Sequence, residues 1–353
     1  VSDIDDLPAP RPLRGILLGG VLVIAGLGGA FVSNWLGTPH RPSMQRSAAE
    51  RQARPIVQIV RQQPGLPDVA DLVDRLCPSV ATIVPHGTDL PVPAGQKLAV
   101  AGFAFSADGW LVTSAAGLPP MPLDALFGDG RRADLTEVRS DPVSGLALAK
   151  ADTTAAPLTF SDQAFPRVGQ FGLGVNTPAG GGCSASASMI GSDFIADGGN
   201  AVGYVRLQPP PASWAPGMPL VGGDGLVLGI GTGSPAGAVI PAPIASVILD
   251  ELMRNSLSAS SAFGFRAVDF AAPFAARLGN QRSGAAIALV EPKSSAARAG
   301  LQAGDIVTAV DGRPVSSASE LSRILDALPG KATLDVQRQS EPLEVTVKRS
   351  AGS

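Results

Sequence analysis

Histidine is nearly absent from this 353-residue chain, which carries only His40 and His86. A serine hydrolase of the Ser–His type needs an imidazole at one defined place, so the scarcity leaves few positions open to that chemistry. Cysteine is equally scarce: Cys77 and Cys183 stand alone, with no CxxC or CxxCH. Their isolation argues against a structural zinc site or covalent haem, and neither a metal site nor a cofactor is expected. A Cys77–Cys183 disulfide in an oxidising compartment and two independent, partly buried thiols both remain open. Charge is also low. Charged residues make up 16% of the chain, the net charge is −3 and no long basic run occurs, so no nucleic-acid partner is expected.

What the chain has instead is 42 Gly and 32 Pro in a sequence that is 45% hydrophobic. Helical bundles rarely tolerate that composition, whereas β-proteins with many tight turns require it. Gly15–Leu36 carries no charge and has the length needed to cross a bilayer. It is expected to be an uncleaved signal-anchor helix (15–36) behind a cytoplasmic tail (1–14), with Arg11 and Arg14 on the cytoplasmic side. Residues 37–67, rich in Pro, Arg, Gln and Ser, read as a flexible linker. Val69, Leu72, Val73 and Leu76 then show helical spacing before Pro78.

From Val80 onward short apolar runs alternate with turn residues. Phe103–Ser106 and Trp110–Thr113 flank Ala107-Asp108-Gly109, and Asp124–Phe127 and Ala133–Val138 flank Gly128-Asp129-Gly130, both hairpin signals. Leu146–Ala149, Gln170–Val175, Ala185–Ile190, Val202–Gln208 and Leu220–Gly229 continue the series, which predicts an antiparallel sandwich or barrel pair. A helix is predicted at Ile244–Met253, with a Ser/Ala linker at Ser256–Ser261 dividing the chain into domains 68–255 and 262–350.

Two stretches of the last segment carry a long motif. Ala262-Phe263-Gly264-Phe265 places a glycine between aromatic residues. Gly284–Val290 is followed by Ala299-Gly300-Leu301-Gln302-Ala303-Gly304-Asp305-Ile306-Val307 and by Val310-Asp311-Gly312. Residues 262–350 thereby resemble a PDZ domain along their whole length. The resemblance implies that an extended peptide or chain terminus adds to strand Phe265–Val268 by β-augmentation, with its carboxylate at the Gly264 loop. A helix from Ala318 to Leu328, opened by Ser317 and Glu320 at capping-box spacing, would wall the groove. The peptide-binding candidates are Phe263, Gly264, Phe265, Arg266, Val268, Leu321, Ile324 and Leu325.

The preceding domain resembles the HtrA/Deg type of trypsin-like serine protease. Pro78–Ile83 is similar to that family's first strand, Gly102–Thr113 to its first hairpin, and Ser140-Asp141-Pro142 with Leu146–Lys150 to its D-P-x-x-D-L-A-V-L-K segment. Met218–Val221 with Gly225–Ile230 is similar to the segment that follows the nucleophile. The expected class is therefore mainly β: a trypsin-like double β-barrel, then an α+β PDZ domain, behind an N-terminal transmembrane helix. The catalytic positions depart from the pattern, because Ala116 replaces the base, Gly145 the orienting acid and Pro216 the nucleophile. Proline also lacks the N–H that would serve an oxyanion hole. His86 reads as a solvated loop residue, and neither Ser213 nor Lys150 has a partner placed for it.

The expectation from these residues is a membrane-anchored protein that is not an enzyme. It would bind extended or hydrophobic C-terminal segments as an adaptor, scaffold or regulator of extracytoplasmic protein quality control. An active endopeptidase and a chaperone-like holdase are the alternatives. The resemblance further implies single-pass inner-membrane attachment with periplasmic domains, and a homo-trimer or a mixed assembly with an active protease.

Overall fold

Asp68 opens the described chain as a helix N-cap, its carboxylate accepting the Ala70 N–H at 3.0 Å. The computed structural model describes residues 68–88, 100–161, 165–178, 181–192, 194–195, 202–211, 214–233, 235–255, 261–270, 284–338 and 341–350. The expected membrane span, the linker 37–67, Ser213 and residues 256–260 lie outside them. Among the described residues no helix is long and apolar enough to cross a membrane.

Helix α1 (Val69–Leu76) buries Leu72 and Leu76, and a 3-10 turn at Cys77–Ser79, with Pro78 inside it, passes the chain into the first strand. Six strands then close a barrel in the order β1-β2-β3-β6-β5-β4. They are β1 (Val80–Pro85), β2 (Val100–Ala104), β3 (Trp110–Ser114), β4 (Leu123–Phe127), β5 (Arg132–Ser140) and β6 (Leu146–Ala151). Except for β5, these strands are buried on both faces and are mainly apolar. Ile83, Leu111, Phe127 and Ala149 fill the barrel interior. Val80, Phe103, Leu146 and Leu148 look outward into a core shared with the next domain half.

A second closed barrel follows in the order β10-β11-β12-β9-β8-β7. Its strands are β7 (Phe171–Asn176), β8 (Ser184–Ile190), β9 (Val205–Gln208), β10 (Pro219–Val221), β11 (Val227–Gly231) and β12 (Ala238–Pro241). The apolar run Leu220–Gly229, expected as one strand, is two: Gly222–Gly225 folds it back, with Gly225 at φ +86° supplying the left-handed step. Cys77 and Cys183 form a disulfide, so the alternative left open by the sequence is settled. It ties the entrance of β1 to the entrance of β8, one in each barrel. Gly128 sits against it, and a Cβ there would lie 2.4 and 2.5 Å from the two sulfurs.

Helix α2 (Ala242–Arg254) packs Ile244, Ala245, Ile248 and Leu249 into the shared core and stops at Asn255 in the left-handed region. Arg139 donates to the Leu252 and Met253 carbonyls at 3.0 Å each, closing the helix C-terminus. Beyond it lies a sheet in the order β13-β14-β15-β17-β18, with β16 paired to β15. These are β13 (Phe265–Phe270), β14 (Gly284–Val290), β15 (Ile306–Val310), β16 (Arg313–Pro314), β17 (Lys331–Arg338) and β18 (Glu341–Lys348). The short helix α3 (Ser295–Arg298) and helix α4 (Ala318–Asp326) complete it. Ser317 caps α4 by accepting the Glu320 N–H at 3.1 Å, as its spacing predicted.

Candidate functional site

Two places bring the sequence-selected residues together: a cleft between the barrels and the outer edge of the last sheet. In the cleft, the end of β3 is stitched to the loop before β6. Ser114 Oγ accepts the Ala116 N–H at 3.2 Å and donates to the Gly145 carbonyl at 3.3 Å, while the Ala115 N–H donates to the same carbonyl at 2.8 Å. From the other barrel, the Pro216 carbonyl accepts the Ala101 N–H at 2.9 Å. Gly217 follows at φ +83°, where a Cβ would lie 2.2 Å from the Ala101 carbonyl oxygen, so only glycine lets the loop pass so close to β2.

Ala116, Gly145 and Pro216, far apart in sequence, line one cavity of about 440 Å³. A Cβ on Gly233 would meet both the Ala116 Cβ and the Pro216 ring at 3.4 Å. The cavity's polar side chains are the hydroxyls of Ser114, Ser144 and Thr232, and among the described residues neither histidine nor carboxylate lines it.

His86 stands exposed in the turn after β1 and is also paired. Its Nδ1 lies 2.7 Å from Oδ1 of Asp124, a carboxylate only 1% exposed whose other oxygen accepts the Gly87 N–H at 3.0 Å. Its donor atoms, with those of Asp124 and Asp134, fall within 4.8 Å of one another, the one described cluster with metal-ligand character. The Arg132 guanidinium, 3.5 Å from Asp124, already supplies positive charge there. Lys150 pairs with Asp108 at 2.9 Å. Hydrogen bonds from Ser106 and Lys150 hold the Asp108 carboxyl below the usual range.

At the sheet edge, Gly264 stands at φ +86°, and a Cβ on it would lie 2.2 Å from the Ser294 Cβ. Its carbonyl accepts the Glu291 N–H at 2.9 Å, and the Ser294 hydroxyl donates to it at 3.2 Å. Strand β13 pairs only with β14, so its other edge has no strand partner among the described residues. Helix α4 flanks it, tied at its first turn by the Ala318 N–H, which donates to Asp269 at 2.6 Å. Phe263, Phe265, Leu321 and Leu325 are packed in the core of this unit, whereas Ile324 is partly exposed.

Arg266 and Val268 point the other way. Val268 joins the core shared with the barrels. Arg266, 5% exposed, donates from Nη2 to Asp141 at 3.0 Å and from Nε to Glu251. Glu251 also accepts the Ser261 hydroxyl at 3.1 Å, and Asp141 accepts the Ser144 N–H at 2.7 Å. Burial opposes the charge on Arg266, but Asp141 and Glu251 outweigh it and hold its pKa above the ordinary value. Glu291 borders the same group. Burial pushes its carboxyl up; Arg266 pulls it down, and Asp141 and Glu251 push it up again. The sequence reading missed this cluster, because Asp141, Glu251 and Arg266 come from three separate elements and share no motif.

Residues 287–338 match the family described as PDZ domain. The periplasmic pH-dependent serine endoprotease DegQ of Escherichia coli (strain K12) is 27% identical over 325 residues, covering 82% of this chain and 71% of that protein. A probable periplasmic serine endoprotease DegP-like of Brucella suis biovar 1 (strain 1330) is 28% identical over 283 residues, covering 75% of this chain and 54% of that protein. The chain thus spans about half the length of the Brucella relative. A solved structure of the HtrA-type protease AlgW with decapeptide is 21% identical, with a TM-score of 0.48, and covers 79% of this chain and 97% of that one. Over most of its length the chain is similar to serine endoproteases of the HtrA/Deg type, and residues 287–338 match the PDZ domain family. These relatives correct the expectation of a non-enzyme. They are named serine endoproteases, and the residues read at positions 116, 145 and 216 do not by themselves decide the activity of this chain.

Proposed function

We propose that this chain acts in extracytoplasmic protein quality control by capturing extended segments and hydrophobic C-termini at its PDZ domain, as an adaptor or regulator of other proteins. The observation that carries the reading is the edge of β13, which has no strand partner among the described residues and lies between α4 and the Gly264 turn. An incoming strand gains main-chain hydrogen bonds along that edge, and Ile324 offers a partly exposed apolar surface for its side chain. The role assigned to Phe263, Gly264 and Phe265 is to shape the carboxylate loop through their backbone. Attachment by the 15–36 segment, periplasmic exposure of the folded part, and a trimer or mixed assembly with a second family member belong to the same proposal.

The test is binding of fluorescent peptides with hydrophobic C-termini to the full chain, each peptide offered with a free or an amidated carboxyl end. Preference for the free carboxylate is expected; equal binding of both forms, or none across a library, refutes the reading. The names of the relatives favour a second activity for the same chain, endoproteolysis. Cleavage of an unfolded protein that co-elutes with the chain through successive columns assigns it.

A further inference from the structure

The Arg266 cluster opens on one side into a cavity of about 360 Å³ between the barrels and the sheet. That volume falls within the range of small-ligand sites. Three carboxylates, those of Asp141, Glu251 and Glu291, share its lining with one guanidinium. The arithmetic of charge leaves an excess of two negatives when all are ionised. Asp141 and Glu251 are spoken for by Nη2 and Nε of Arg266. The remaining Arg266 nitrogen, Nη1, is buried and has no hydrogen-bond partner among the described residues. The Glu291 carboxylate likewise receives no hydrogen bond from a described residue, and burial, with Asp141 and Glu251 close by, raises its pKa. Between these polar groups the wall is apolar, built by Val143, Ile248 and Leu252.

We infer that this cavity is a subsite for a basic side chain, lysine or arginine, presented by a partner polypeptide. The cation meets Glu291 and the excess negative charge, the aliphatic stem lies along Val143, Ile248 and Leu252, and a carbonyl oxygen of the ligand accepts the N–H of Arg266 Nη1. A bare metal ion does not fit the donor set, because it brings no acceptor for Nη1 and faces the guanidinium charge. A simple anion satisfies Nη1 but is repelled by three carboxylates. A residue with a cationic side chain and its own peptide carbonyl supplies both.

The test uses the full chain titrated with Nα-acetyl-lysine N-methylamide and with its norleucine analogue. Both probes lack a free carboxyl terminus, so capture at the Gly264 loop does not contribute and the outcome is separable from the function proposed above. The lysine probe should bind about tenfold tighter than norleucine, and the advantage should shrink as salt is raised. Glu291→Gln should lower lysine binding by about tenfold while leaving the thermal midpoint at neutral pH no lower than that of the parent chain. Equal binding of the two probes overturns the inference. So does lysine binding that is unchanged in Glu291→Gln, or binding of calcium or acetate in place of lysine.

Discussion

Reducing the Cys77–Cys183 bridge should destabilise the barrel pair more than most single substitutions in it. The bridge spans 106 residues of sequence and encloses every strand of the first barrel together with β7. Releasing a loop of that length returns about 16 cal/mol/K of conformational entropy to the unfolded chain, or about 4.8 kcal/mol at 25 °C. For a folded unit of this size each kcal/mol moves the thermal midpoint by about 2–4 °C, so the expected fall is about 10–20 °C. Trp110 on β3 and Trp214 before β10 place one fluorescent reporter in each barrel. Urea and thermal melts followed by tryptophan fluorescence, with and without dithiothreitol, measure the difference. The Cys77→Ala/Cys183→Ala chain must reproduce the reduced curve, and Trp110→Phe and Trp214→Phe versions, each also carrying Trp35→Phe, report the barrels separately. Oxidised and reduced melts that superimpose within 1 kcal/mol would refute the reasoning, because the crosslink would then restrict nothing that the native contacts between barrels do not already restrict.

Gly264→Ala should abolish capture of free C-terminal peptides, since its Cβ would lie 2.2 Å from the Ser294 Cβ on a backbone at φ +86°; retained affinity in a polarisation assay counts against the loop assignment. Arg266→Met leaves Asp141 and Glu251 buried without a counter-charge, which should cost about 3–5 kcal/mol in urea unfolding, and adding Asp141→Asn and Glu251→Gln should restore most of the loss. Glu291 has a folded pKa above its unfolded value, so its contribution to stability is full below about pH 4 and is lost as the pH rises through the folded pKa. Glu291→Gln should therefore be more stable than the parent chain near neutrality and equal to it in acid, and a constant difference across a pH series of melts would exclude this. Gly128→Ala, whose Cβ would lie 2.4 and 2.5 Å from the two sulfurs, should lower the yield of the disulfide on oxidative refolding, as read by thiol titration.

What the sequence made legible were the features written locally. Hairpin signals at Ala107-Asp108-Gly109 and Gly128-Asp129-Gly130 mark real turns between β2 and β3 and between β4 and β5, because turn chemistry acts over a few residues. Ser317 caps α4 for the same reason. Motif order singled out Ala116, Gly145 and Pro216, far apart in sequence, and the fold brings them around one cavity. Directions of side chains were harder. Arg266 and Val268 sit on a strand selected for peptide capture, yet period-2 alternation sends them to the barrel side while Phe265 and Ala267 enter the sheet's own core. Nothing in the local pattern says which face meets another domain; only the docking of α2 and the Asp141 turn decides it. That docking turns Arg266 from a groove residue into the centre of a buried charge cluster. The unsatisfied Nη1 then follows from geometry: one guanidinium offers three nitrogens, and the described residues of the interface supply acceptors for two.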